Sequence, residues 1–195
     1  MARANKDSAF GLRPIGKIGQ NRDNQGLSEY SITANDSTTI FFQDAVSATA
    51  AGTIHQAAES EAFLVGSLNG VFYTDPTTSK PTFANHYSQV NASDISAFVA
   101  DDPYERFEIQ SNKTTAHGQT DVFMNFDIDV NAGDSANFVS KSELNHSTAT
   151  TGTAQIKVTG VSNDIDNNNL THASGHVNFV VMINEHLYNA KNNGI

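Results

Sequence analysis

One run of residues restricts this chain more than any other: between Asp121 and Asn131, apolar and polar side chains follow the cleanest period of two in the chain. Val122, Met124, Phe126, Ile128 and Val130 fall on one side, and Asp121, Asn125, Asp127, Asp129 and Asn131 fall mostly on the other. A period of two puts successive side chains on opposite faces of a strand, so this run predicts a half-buried β-strand. The same chemistry recurs elsewhere. Leu27–Thr33, Thr39–Val46, Ala62–Leu68, Val71–Thr74, Ile95–Ala100, Arg106–Gln110, Ala154–Val161 and Val177–Ile183 all read as strands. The last is apolar on nearly both faces and is expected inside a sheet. Asn69-Gly70 predicts a tight hairpin turn, and Asp101-Asp102-Pro103 predicts a second turn. A short helix is expected at Ser140–Asn145, where Ser140 could cap and Glu143 follows three residues later.

Composition agrees with this reading. Only 16% of the 195 residues are charged, cysteine and tryptophan are absent, and 12 phenylalanines supply most of the large apolar volume. A polar surface of Asn, Ser, Thr and Gly over Phe, Val and Ile suits strands and turns better than helices. The expected fold class is therefore all-β, a β-barrel or β-sandwich body with an extended N-terminal arm. Residues 1–26 form the arm, and two small β units span 27–110 and 121–190, with 111–120 (Ser-Asn-Lys-Thr-Thr-Ala-His-Gly-Gln-Thr) as the linker.

Charge separates arm from body. Residues 1–22 carry five basic side chains against the single acid Asp7, a formal +4. The other 173 residues carry 6 basic and 20 acidic side chains, a formal −14. A body this acidic does not suit phosphate contacts, so no nucleic-acid partner is expected. Nor is a membrane, because no run approaches the roughly 20 apolar residues that span a bilayer. The arm is expected to dock onto a partner through Arg3, Lys6, Phe10, Leu12, Arg13, Ile15, Lys17, Ile18 and Arg22. Ordering it costs about 1–2 kcal/mol per residue in backbone entropy. Exposed ion pairs contribute at most about 1 kcal/mol each. Apolar burial and strand addition to a neighbour must therefore carry the docking.

The motifs that would carry chemistry are incomplete. Asp164-Ile-Asp166-Asn-Asn168 begins like a calcium loop, but Asn169 and Gly175 stand where glycine and a bidentate glutamate are needed. Asp127-Ile-Asp129-Val-Asn131 is explained by its strand period. His172 and His176 have the spacing of a helical zinc pair, yet Ser174 and Gly175 make a helix poor there. His55, His86, His117, His146 and His186 are dispersed, and no nucleophile elbow, phosphate loop or dinucleotide fingerprint occurs. No catalytic residue, metal or cofactor is expected.

Four segments, in this order, resemble a known family. They are Asn5–Gly16 (Asn-Lys-Asp-Ser-Ala-Phe-Gly-Leu-Arg-Pro-Ile-Gly) running on to Gln25-Gly-Leu-Ser-Glu-Tyr30; Gly66-Ser-Leu-Asn-Gly-Val-Phe-Tyr-Thr-Asp75; Asp101-Asp-Pro-Tyr-Glu-Arg-Phe-Glu-Ile-Gln110; and Ile156-Lys-Val-Thr-Gly-Val161 leading to Val181-Met-Ile-Asn-Glu-His186. Together they are similar to capsid decoration, or cement, proteins of tailed bacteriophages, especially marine ones. The resemblance implies a non-catalytic virion protein, made in the host cytoplasm, that binds the major capsid protein on the outside of the shell as homotrimers. Two other readings remain open. A host- or glycan-binding virion protein would need an exposed aromatic platform. A virion hydrolase would need a convergent His–Asp–Ser or two-carboxylate cleft.

Overall fold

A computed structural model of the protein describes residues 4–18 and 26–189. Twelve strands form two six-stranded antiparallel sheets, the arrangement of a β-sandwich. The first sheet runs β1 (Arg13–Lys17), β8 (Glu105–Gln110), β12 (Asn178–Ile183), β11 (Ile156–Val161), β9 (Asn125–Asp129), β10 (Glu143–Thr150). The second runs β2 (Ser28–Ser31), β7 (Ser96–Ala100), β5 (Gly66–Thr74), β3 (Ala45–Ala48), β4 (Ile54–Gln56), with β6 (Pro81–Ala84) also paired to β5. The body is all-β, as the alternation requires.

Each sheet has its own core. Phe107, Ile109, Phe126, Ile128, Leu144, Ile156, Phe179 and Val181 fill the first, joined by Ala45, Ala57, Leu64 and Ala100 from the second sheet's side. Ile40, Val46, Leu68, Val71, Tyr87 and Val99 fill the second. A fully buried side chain of this size contributes about 1.5–3 kcal/mol relative to exposure, so Phe107, Phe126 and Phe179 are major terms. The apolar β12 lies between β8 and β11, the interior place its sequence suggests.

Four local expectations change. The 121–131 run is a strand only at Asn125–Asp129. Before it, Gln119–Asp121 makes a 3-10 turn and Phe123 takes a left-handed backbone (φ 74°). Asn69-Gly70 makes no hairpin, because β5 runs straight through it with a bulge between Leu68 and Gly70. There the Phe83 ring packs into the space a Cβ would need (2.9 Å to Cζ). Ser140–Asn145 is not helical. Pairing of Glu143 with Asp129 and Leu144 with Ile128 draws it into β10.

The fourth change concerns organisation. The sheets exchange at Asp101–Tyr104 and not at 111–120, because β7 belongs to one sheet and β8 to the other. The turn is closed by Asp102, which accepts from the Tyr104 N–H (2.8 Å) and, through its carbonyl, from the Glu105 N–H (2.9 Å). Residues 111–120 stay within the first sheet's surroundings. The Ser111 N–H donates to Val177 O, and the His117 N–H donates to Leu170 O. The N-terminal segment likewise belongs to the body. β1 is an edge strand on β8, with Arg13 opposite Glu108 and Lys17 opposite Glu105. Strand addition does hold it, but the acceptor is its own chain.

Candidate functional site

The N-terminal residues expected to reach a partner mostly reach their own body. Lys6 pairs with Asp166 at 2.9 Å and Lys17 with Asp102 at 2.7 Å. Arg13 pairs with Glu108 and lies over the Phe10 ring, 4.4 Å from its centroid. Leu12 is buried in the first core. Beside it Gly11 (φ 79°) passes so close to Gln43 O and Ser140 that no side chain would fit. Of the apolar residues among them, Ile15 and Ile18, at 40% and 54% exposed, face outward. Arg3 and Arg22 lie outside the described residues.

The loop that failed as a calcium site is part of the cradle for this segment. Asn167 Nδ2 donates to Lys6 O and to His176 O, both at 2.6 Å. Asn5, itself buried, donates to Asn169 O (2.9 Å) and Gly175 O (2.6 Å). On the strand side, Gln110 Oε1 accepts from the Ser8 N–H at 2.7 Å. Asparagine and glutamine amides serve here because one side chain can satisfy both donors and acceptors of a passing backbone.

Two ionisable clusters form that spacing in the sequence did not reveal. In the first, His117 Nδ1 lies 2.8 Å and His146 Nε2 3.3 Å from the same oxygen of Asp121. Burial pushes the His117 imidazole down, against the opposing pull of Asp121. Burial alone would raise the Asp121 carboxyl, but the bond from His117, the charge of His146 and the Gly118 N–H hold it below its ordinary range. The side-chain hydrogen bonds of the two histidines run to Asp121 and Lys113, and among the described residues no serine hydroxyl joins them. One ligand atom from each of the three lies within 4.8 Å of the others, a separation that admits a metal. The Lys113 ammonium, 3.3 Å from His146 Nε2, already supplies positive charge there. The only advance hint was the four-residue separation of His117 and Asp121. The second cluster, Asp7, Glu143 and His176, joins the N-terminal segment to the first sheet.

A third feature is apolar. On the outer side of the second sheet, Phe72 and Phe83 stand opposite each other across β5 and β6, 40% and 64% exposed. Phe98 on β7 extends the row, its ring centroid 6.1 Å from that of Phe83. The Gly70 bulge lets the Phe83 ring lie down over the sheet. The sequence marked Val71–Thr74 as a strand, but not which face Phe72 would take nor β6 as its neighbour. Among the described residues no helix is long and apolar enough to cross a membrane. No family model matches the chain, and comparisons with curated proteins and with solved structures return no significant similarity.

Proposed function

We propose that this protein is an accessory structural component of a tailed-phage capsid. It binds the major capsid protein on the outside of the shell in groups of three, performs no chemistry, and cements the assembly. The observation that carries the reading is the outward row of Phe72, Phe83 and Phe98 on a sheet whose core is already complete without it. Exposed apolar rings in a contiguous row are what a contact surface requires and a solvated face does not. The four-segment resemblance supports the same reading, and the acidic body argues against a nucleic-acid partner. Among the described residues of the N-terminal segment, Lys6, Arg13 and Lys17 are paired with acids of the same chain and Leu12 lies in its core, which favours the aromatic row over this segment as the contact.

The test uses purified heads lacking the protein. Phe83→Ser combined with Phe72→Ser should leave the far-ultraviolet spectrum unchanged and lower occupancy. Loss of one aromatic anchor costs about 2 kcal/mol or more, roughly a thirtyfold weakening. Undiminished binding by the double variant would remove the Phe row as the contact. A second reading draws on the same rings, because an exposed aromatic platform is also what a glycan- or host-binding protein needs. Saturable binding to host surface polysaccharide, abolished by the same substitutions and unaccompanied by head binding, would favour it.

A further inference from the structure

Asp7, Glu143 and His176 come from three remote parts of the chain: the N-terminal segment, the first residue of β10, and the turn before β12. One ligand atom from each lies within 4.8 Å of the other two. His176 Nδ1 stands 3.9 Å from Asp7 Oδ1, too far for a hydrogen bond. Glu143 Oε1 and His176 Nδ1 are both shut off from solvent, and among the described residues neither has a hydrogen-bond partner. Buried polar atoms are almost always paired, so two unpaired ones converging on a third ionisable group call for a missing species. That species must be positive. Two carboxylates and an imidazole nitrogen converge there, and Asp7 and Glu143 line the same cleft. Lys6, next to Asp7 in the chain, is engaged with Asp166.

The backbone around the cluster is already held in place. Asp7 is bracketed by the Lys6 N–H bonded to Asn167 Oδ1 and the Ser8 N–H bonded to Gln110 Oε1. The His176 N–H donates to Lys113 O, and its carbonyl accepts from Gln110 and Asn167. The Asp7 carboxylate, by contrast, is 72% exposed and free to turn. Asp7 and Glu143 also line an open cleft of about 860 Å³ together with Phe10, Asp134 and Lys141.

We propose that Asp7, Glu143 and His176 bind a divalent transition-metal ion of the zinc class, with a fourth coordination position open to the cleft. One imidazole nitrogen and two carboxylate oxygens fit such an ion, whereas calcium and magnesium prefer oxygen alone. Metal–ligand distances near 2.1 Å set ligand atoms about 3.4 Å apart in a tetrahedron, so a small rotation of Asp7 closes the observed 3.9 Å gap. The ion would staple the N-terminal segment to the sheet, so the fold itself would respond to metal. The sequence pointed to no metal because its three ligands are separated by 136 and 33 positions.

The full chain, stripped with chelator, is titrated with zinc chloride at pH 7.5 in a calorimeter and then heated. One equivalent should bind with release of protons, and the melting temperature should rise by several degrees. Asp7→Asn and Glu143→Gln should each weaken binding at least about tenfold and abolish the rise. Asp7 is exposed, so its variant folds whatever Glu143 requires. His146→Gln, which disables the other cluster, should bind zinc as the parent does. The proposal is overturned if no saturable binding occurs, if both first variants bind normally, or if only His146→Gln loses the metal. An equal melting rise with calcium would overturn the assignment of the ion's class.

Discussion

A carboxyl buried beside other carboxyls holds its proton more tightly in the folded state than in the unfolded chain. Glu143 is such a group, with its pKa pushed up to about 7 from an ordinary 4.5. The unfolded chain therefore releases this proton first. The stabilising contribution is complete below about pH 4.5, declines as pH rises through 7, and is absent above. With metal removed, Glu143→Gln should be more stable than the parent at pH 8 and no more stable at pH 4.5. The shift is discounted for partial solvent screening, which leaves about 1 kcal/mol. Urea unfolding at the two pH values checks it, and an equal difference at both would assign the effect to something other than ionisation. Asp44, also buried and raised by desolvation against bonds from the Phe41 N–H and Gln56, adds to the same slope.

β1 is the element whose role differs most from its composition. Glycines, a proline and scattered cations read as a detachable arm, yet Pro14 suits an edge strand, where no ladder donor is needed on its open side. Leu12 should behave as a core residue, with Leu12→Ala costing about 2–5 kcal/mol. Ile18→Ser, at an exposed position, should stay within about 0.5 kcal/mol of the parent. Removal of residues 1–18 should uncover Phe107 and the outer edge of β8. Broadened, non-cooperative melting with binding of a hydrophobic dye is expected. A truncated chain that melts as sharply as the parent would show that the segment is an appendage after all.

At the scale of the whole molecule, the proposed cementing role has stability shared between chain and particle. A protein that binds the assembled shell and not its separated subunits raises apparent stability by mass action. Heads lacking this protein should therefore release DNA at a lower temperature than complete heads, and adding it back should restore resistance. Equal robustness with and without it would defeat the cementing role and advance the host-contact reading. Light scattering that finds only monomers, together with a particle map without subunit contacts, would remove the trimer.

Alternation in Phe126–Ile128 and Arg106–Gln110, and the short apolar run Val177–Ile183, were enough to establish strands, because both patterns are local properties of the backbone. The all-β class followed from them. Local chemistry also located the Asp101–Pro103 turn, though not that the chain changes sheets there. Pairing depends on residues far apart, so Asn69-Gly70 became a bulge only because β7 and Phe83 lay against it. Glu143–Asn145, within the expected helix, became strand only because β9 was beside it. The clusters of His117 with His146 and of Asp7 with Glu143 and His176 have no sequence period, since sheet neighbours can be separated by any length of chain. Whether the cations of residues 4–18 faced a partner or their own body was decided by tertiary structure alone. Glu108, Asp102 and Asp166 met Arg13, Lys17 and Lys6 once β1 had paired with β8.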